Sequence, residues 1–502
     1  MKKHKVLILG AGPAGLGAAY KLLKDNNNYE VIILEKEKEI GGLCKTKEFG
    51  NIKLDYGVHF YRISEYKEFN DIIYNLIPIE DNISKNLTEK DIKKYVKKGK
   101  NQKNSDEVML INSSSSNIYF DNKFYEYPIK LTFDTIKKMG LSNLIQIGFS
   151  YLKVLINKKE ETNLENYYIN RYGKKFYEMF FLEYTIKVCG VHPKDIDIDW
   201  GKQRIRETSF INILKEKLFK KKVENEPSLI EEYYYPKYGC GQVYNKMAEE
   251  ITKLGGKIVT NSYVKNIIIK NYKVEDVEYI ENKKINHIKP DFIINSIPLK
   301  KFVGLLSGDN LDKEKIKLAK DLQFRDLILV NLLVSKKEMS KLDIYKTIKD
   351  NSWVFIQDPN IKFGRIKISN NWSKYMFTED KYNNKVLLTL EYCCDSKDPF
   401  CKLKQEELIK VVKKELKSLN LYPKSGFDSF KIDKVKNAYP AYYGTYKNRK
   451  EIIKYLDKFD QIYFVGRAGQ HQYIDMDKAM YTGIKASENI IKCKKNKKDV
   501  WL

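Results

Sequence analysis

The sequence predicts an α/β fold (α+β overall) built on a dinucleotide-binding Rossmann domain, and three observations lead there. The first is a βαβ unit at the start of the chain: an apolar run Lys5 to Leu9, a glycine-rich turn, a helix over Leu16 to Leu23, and a second apolar run Val31 to Leu34 that ends at Glu35. The second is the apolar run Asp291 to Ile297, which stops at Pro298 as a strand returning to the same sheet would. The third lies near the C-terminus, where the apolar run Ile462 to Val465 meets Gly466-Arg467, a loop follows, and a helix is expected to start near Met476-Asp477.

The turn Gly10-Ala11-Gly12-Pro13-Ala14-Gly15 has the G-x-G-x-x-G spacing, and each glycine has a physical task. One makes the tight turn, one lets backbone amides approach a pyrophosphate at the helix N-terminus, and one lets helix and strand pack closely. Glu35 is placed to accept the ribose hydroxyls, and its charge repels a ribose 2′-phosphate. Lys36, next to it, joins the cofactor-binding candidates.

A chain of 502 residues with 42% apolar content suits two or three domains, or one discontinuous Rossmann domain with a substrate domain inserted. No apolar run reaches the roughly eighteen residues of a membrane span, and Met1-Lys2-Lys3-His4 leads straight into the first strand. The expected location is cytoplasmic, with peripheral contact at the inner face of the membrane left open. The seven cysteines show no C-x-x-C pair, so neither a zinc site nor a disulfide framework is expected and reduced thiols are the simpler account. The net charge of +26 arises from lysines interleaved with Glu and Asp along the whole chain, with no nucleic-acid-binding motif. An anionic small molecule or an acidic membrane surface is the better match for that charge.

The dinucleotide is indicated by Gly41-Gly42-Leu43-Cys44-Lys45-Thr46, six positions after Glu35. This spacing resembles the E-x5-GG-x-x-[RK]-T extension of FAD proteins of the amine oxidase and mutase superfamily. The resemblance implies FAD, a FAD-type Rossmann domain of three-layer ββα architecture, and Gly42, Lys45 and Thr46 near the flavin diphosphate. Asp55-Tyr56-Gly57-Val58-His59 is similar to the D-x-G-x-H segment that sets a glycine and a histidine over the flavin ring, making Gly57 and His59 candidates; a packed core histidine is the alternative for His59, and the Tyr-Gly setting favours the flavin.

Residues 81–117 are polar and lysine-rich with four consecutive serines, and read as a flexible or peripheral insertion. Residues 131–157 read as helical, with a broad apolar face flanked by lysines. A core or interdomain helix is the default for such a stretch, and an interfacial helix on a membrane is the alternative. Phe180-Phe181-Leu182-Glu183-Tyr184-Thr185-Ile186-Lys187-Val188-Cys189-Gly190 resembles the F-F-x-x-Y-T-x-K-x-W-G stretch of UDP-galactopyranose mutases, with Cys189 in place of the tryptophan. The resemblance implies nucleotide-sugar contacts for Tyr184 and, in the basic segment that follows, Arg204. Pro236-Lys237-Tyr238-Gly239-Cys240-Gly241-Gln242 is similar to the P-K-x-G-x-x-Q segment of the same enzymes and precedes a helix, Val243 to Lys253.

Lys257 to Lys270 reads as one strand, 271–285 as a hairpin or edge, and 322–334 and 386–394 as buried strands. By position in the mutases, Arg365, Tyr392 and Tyr439 are implied to hold the substrate diphosphate, with Arg325 a weaker candidate. Phe464-Val465-Gly466-Arg467 through Tyr473-Ile474-Asp475-Met476-Asp477 resembles F-V-G-R-x-G-x-x-x-Y-x-D-M-D, which puts Gly466, Arg467, Asp475, Met476 and Asp477 at the flavin. A helix N-terminus there favours negative charge on the pyrimidine edge of the ring.

These resemblances imply a UDP-galactopyranose-mutase-like isomerase of glycan biosynthesis. It would contract a nucleotide-linked hexopyranose to its furanose with reduced flavin N5 as nucleophile, and with Arg365, Arg467 and His59 as the catalytic set. The alternative is an FAD-dependent oxidoreductase of the amine oxidase, protoporphyrinogen oxidase or desaturase type, acting on an amine or an apolar ring; a flavin-binding protein without catalysis is a third reading. No metal is expected. A reductant such as NAD(P)H, the sugar and the oligomeric state are left open. The expected domains are a Rossmann domain from 1–75, 230–300 and 425–492, a mostly helical cap over 76–229, and a mixed-sheet substrate domain over 301–424.

Overall fold

The computed structural model describes residues 3–502 apart from 26–27, 83, 85, 114, 130–131, 205–231, 378 and 380–381. It resolves into two compact units. Unit 1 contains residues 1–111, 234–324 and 437–502, and unit 2 contains 112–233 and 325–436.

Unit 1 is built on five parallel strands: β1 (His4–Leu9), β2 (Tyr29–Leu34), β3 (Lys257–Val259), β4 (Phe292–Asn295) and β5 (Ile462–Phe464), in the order β5-β4-β1-β2-β3. β1 pairs with β2 from His4↔Tyr29 to Leu9↔Leu34 and with β4 from Val6↔Phe292 to Leu9↔Asn295. Both faces of this sheet are covered, so its strands are continuous apolar runs rather than alternating ones. Helix α1 (Pro13–Asp25) follows the glycine turn and packs on α2 (Met476–Ile491). A second sheet of four strands belongs to the same unit. Lys257 to Lys270, expected as one strand, is broken at Asn261 (φ 51°), so that 257–259 stays with β2 and Tyr263–Lys270 joins the second sheet. Of the hairpin or edge expected over 271–285, the hairpin is what forms: Lys273–Glu281 pairs antiparallel with the strands before and after it and so is not an edge.

Residues 76–111 and 301–324 cluster with unit 1 instead of with the cap and the substrate domain. Ile77, Ile79, Tyr95 and Met109 share a core with Val6 and Ile8, and Phe302, Val303 and Ala319 share one with Leu7 and Leu9. The polar stretch 81–117 is therefore not peripheral throughout. It holds a helix, Glu89–Tyr95, started by a Thr88–Asp91 capping box, and the Tyr95 hydroxyl donates to Asp71 at 2.8 Å.

Unit 2 centres on a sheet in which Phe324–Ser335 pairs antiparallel with Lys385–Cys394, and Arg365–Ile368 with both Lys385–Cys394 and Trp353–Ile356. The amphipathic helix Gln405–Ser418 supplies Leu408, Val412 and Leu416 to its core. The stretch expected as one helix over 131–157 holds two among its described residues, Phe133–Met139 and Leu141–Ile156, broken at Gly140 (φ 78°). Cys394 and Cys401 form a disulfide with Cα atoms 5.8 Å apart, which corrects the expectation of seven reduced thiols; the short helix Pro399–Lys402 turns the chain back to the strand end. Among the described residues no single helix is long and apolar enough to cross a membrane, and no group of His, Cys, Asp or Glu is arranged to hold a metal.

Candidate functional site

The first half of the site in unit 1 is where β1 and β2 end. Gly10 N–H donates to the Leu34 carbonyl at 2.9 Å, drawing the glycine turn across the sheet edge. The Glu35 carboxylate accepts Ala11 N–H at 2.8 Å through Oε2 and Glu37 N–H at 2.9 Å through Oε1. Each oxygen keeps a second lone-pair direction, so ribose hydroxyls can donate to a carboxylate already fixed in place. Gly41 N–H donates to Ala11 O at 2.8 Å and brings the glycine pair over the turn. A Cβ on Gly42 would stand 3.1 Å from the Gly12 Cα, so two bare backbones face each other there. A Cβ on Gly15 would stand 2.0 Å from the Gly10 carbonyl oxygen, which makes glycine obligatory where α1 leaves the turn. Pro13 opens α1, where its missing N–H costs nothing. Backbone amides, a bare Gly12–Gly42 contact and an oriented acid are what a dinucleotide diphosphate and ribose need.

The residues after the glycine pair divide between charge and support. Lys45 is buried, with its ammonium 5.0 Å from the Tyr56 ring centroid, and burial pulls its pKa below the ordinary lysine value. That cation is poorly solvated and gains from an anion beside it. Thr46, expected at the cofactor, engages its hydroxyl otherwise: it bonds Asp55 and accepts Gly241 N–H at 2.8 Å, while Asp55 also accepts Tyr235 OH and Cys240 N–H. Thr46 is thus a positioning residue for the Gly239–Gly241 turn. Lys36 is exposed, and Gly57 (φ 78°) turns the chain so that His59 follows half-buried.

The second half is the C-terminal loop between β5 and α2. Gly466 N–H donates to Thr482 Oγ1 at 2.8 Å, which ties the strand end to α2. Arg467 donates through Nε to the Ile474 carbonyl at 2.8 Å, and its guanidinium lies 4.5 Å from the Tyr473 ring and 5.7 Å from the Tyr439 ring. Those two rings are stacked with centroids 5.4 Å apart. Asp475, mostly exposed, stands 3.8 Å from Arg467, so the charge is only loosely compensated. Asp477 accepts the Ser64 hydroxyl at 2.6 Å, and Met476 Sδ lies 3.7 Å from Cys240 Sγ, so both fasten the first turn of α2. Tyr473 was not singled out by sequence reasoning although it stands within the matched segment; its N–H donates to the Tyr442 hydroxyl at 2.6 Å, which fixes the loop beside Arg467.

The implied diphosphate set is divided between the two units. In unit 2, Phe355 pairs with Arg365 across two strands, and Tyr184 stands edge-on to Phe355 at 5.3 Å and above Gly364. The Tyr184 N–H donates to Gln357 Oε1 at 3.1 Å. Arg365 is not a free cation: Nε donates to Glu391 Oε2 at 2.8 Å. Tyr392 is fully buried on the other side of that strand and donates to Glu415 at 2.7 Å, since successive strand residues face opposite ways. It is core, and its implied contact with substrate is corrected. Tyr439 belongs to unit 1 beside Arg467. The backbone of Arg204 ends the helix Asp199–Arg204, while its side chain and residues 205–206 lie outside the described residues. Arg325 donates to the Val188 carbonyl at 3.2 Å and the Cys393 carbonyl at 3.3 Å, a structural use.

Lys187 is a further group in unit 2 that sequence reasoning did not isolate. It donates to the carbonyls of Ile356 at 2.9 Å and Asp358 at 2.5 Å, and burial pulls its pKa down to about 8. It stands one helical turn from Tyr184 and fills the lysine position of the segment that resembles the mutases, although it was not among the candidate site residues.

A family model described as flavin containing amine oxidoreductase matches residues 13–491. The chain belongs to that family. It is an FAD-dependent flavoenzyme of the amine oxidase superfamily, and its cofactor is FAD. A probable polyamine oxidase 5 of Arabidopsis thaliana is 44% identical over 57 residues, a match that covers 11% of this chain and 11% of that protein. Among solved structures, reduced UDP-galactopyranose mutase aligns with a TM-score of 0.78 at 16% identity, covering 100% of this chain and 96% of the other. A putative protoporphyrinogen oxidase from Exiguobacterium aligns with a TM-score of 0.67 at 12% identity, covering 98% and 99%. At these identities the structures share the fold.

Proposed function

We propose that this flavoenzyme contracts a nucleotide-linked hexopyranose to its furanose, in the manner of UDP-galactopyranose mutase and without net redox change. The observation that carries the reading is Arg467 beside the stacked pair Tyr439 and Tyr473: a planar cation, loosely compensated, of the kind that recognises phosphate oxygens.

Reduced FAD supplies the nucleophile for this chemistry when bound. Gly10, Gly12, Gly15 and Gly42 offer backbone to its diphosphate, Glu35 takes its ribose, and Lys45 provides buried positive charge. The amide groups at the start of α2 favour negative charge at their end of the helix. Arg467 binds and orients the departing nucleotide diphosphate, and no side chain has to take a proton from the sugar carbon. The alignment over the full chain with the reduced mutase adds support.

One observation favours the oxidoreductase reading: Arg365, implied as a diphosphate ligand, is already neutralised by Glu391. Anaerobic titration of the dithionite-reduced protein with UDP-galactose separates the two. The mutase reading expects a perturbed reduced-flavin spectrum and conversion between the pyranose and furanose nucleotides. An unperturbed spectrum, together with bleaching of the oxidised protein by an amine or apolar ring compound, would overturn it.

A further inference from the structure

The helices Phe133–Met139 and Leu141–Ile156 of unit 2 are bent by 95° at Gly140. The longer helix is apolar on both sides. Ile147, Tyr151 and Val154 are buried against the unit, whereas Leu141, Ile145, Phe149, Leu152, Leu155 and Ile156, on the opposite side, are 50–88% exposed. On a 3.6-residue period those six fall within about a third of the helix circumference, with no charge among them. Phe133, at 82% exposure, continues the surface onto the shorter helix. Patches of this kind on a monomer mark a surface that something else covers.

The charges at the rim identify what covers it. Lys137, Lys153, Lys158 and Lys159 are exposed around the two helices, and Lys138 is half-buried beside them. Of the nearby acids, Asp134 is paired with Lys138 at 2.5 Å and Glu161 with Arg171 at 2.7 Å, which leaves Glu160 against the lysines. A second copy seated on this face by a twofold axis would bring two lysine-rich rims into one interface, with only Glu160 on each side to offset them. An anionic lipid surface complements both the apolar stripe and the rim. The 95° bend rules out a straight span of the two helices, but it suits a helix of about 24 Å lying flat. We propose that residues 133–156 dock on an anionic bilayer, with the outer face of Leu141–Ile156 at the boundary between headgroups and acyl chains.

The test is flotation of the FAD-loaded protein with vesicles of phosphatidylcholine alone and with vesicles containing about a third phosphatidylglycerol. Binding to the anionic vesicles is expected, weakened at least about tenfold in a Phe149→Ser, Leu152→Ser double variant. A Leu155→Ser, Ile156→Ser variant provides an independent second reading. Both should keep the flavin spectrum and the elution volume of the parent, because the altered side chains lie outside the core. Failure to bind overturns the proposal. So does anionic binding that survives both variants, since the net charge alone then accounts for it. A dimer that either double variant dissociates overturns it as well, by assigning the face to a second copy. The outcome is independent of the reaction the enzyme performs.

Discussion

Replacing Arg467 removes two kinds of interaction at once, and their sizes can be set out in advance. Its Nε–H···O=C bond to Ile474 at 2.8 Å is charge-assisted, a class that contributes roughly 1.5–3 kcal/mol. The contacts with the Tyr473 and Tyr439 rings, at 4.5 and 5.7 Å, add about 0.5–1 kcal/mol each. Arg467→Ala should therefore destabilise unit 1 by about 2.5–5 kcal/mol and release the loop that positions Tyr473. Arg467→Lys keeps the charge but loses the planar fork, and should recover less than half of that stability. If the guanidinium also meets a substrate diphosphate, UDP affinity should fall by about one to two orders of magnitude in both variants, the usual cost of losing a charge-assisted bond. Urea melts of the FAD-loaded protein report the first effect, and equilibrium titration of the reduced protein with UDP reports the second. Unchanged UDP affinity in a folded Arg467→Lys enzyme would refute the role assigned to this side chain, and unchanged stability would refute the packing argument.

Gly15→Ala forces a Cβ to within 2.0 Å of the Gly10 carbonyl, so the turn must open; protein purified with this change should carry little or no FAD, as read from its visible spectrum. Tyr392→Phe leaves buried Glu415 without its 2.7 Å donor, which should cost about 1–3 kcal/mol in a denaturant melt while leaving UDP affinity unchanged; a selective loss of affinity would return Tyr392 to the site. His471 is fully buried, donates Nε2–H to the Ala441 carbonyl at 3.2 Å, and is held neutral, its pKa pushed by burial from 6.5 down to about 3. The unfolded chain binds this proton below about pH 6.5 and the folded one does not, so stability falls as pH drops from 6.5 towards 3. The loss between pH 7 and pH 5 should be roughly 2 kcal/mol in urea midpoints, and His471→Gln should flatten that part of the profile.

The glycine turn, Glu35 and the strand–loop–helix around Arg467 could be read from the sequence because each is a local pattern whose geometry is set by near neighbours. FAD followed from the resemblance of Gly41-Gly42 through Thr46 to the extension found in FAD proteins. What escaped depended on strand facing and on partners distant in the chain. Tyr392 and Glu391 are adjacent, yet only the pairing of their strand with Arg365–Ile368 decides that Glu391 meets the arginine and Tyr392 meets Glu415. Thr46 looked like a cofactor contact because nothing local announces that Asp55 and Gly241 meet its hydroxyl, with Tyr235 on the far oxygen of Asp55. The stretch 81–117 looked detached because its lysines and serines outnumber the few residues, Tyr95 and Met109 among them, that fix it to the core. In 131–157 the periodicity was right, but Gly140 divides one expected helix into two and leaves the apolar face outward.

The central claim is that FAD here supports a rearrangement rather than an oxidation, and turnover in the absence of oxygen tests it most directly. Reduced enzyme given UDP-galactopyranose should approach an equilibrium mixture with the furanose form, resolved by chromatography, with no reductant consumed per turnover and no activity from the oxidised enzyme. A nucleotide sugar returned unchanged, with oxygen consumed in proportion to an amine or apolar ring substrate, would contradict the account and make this chain an oxidase.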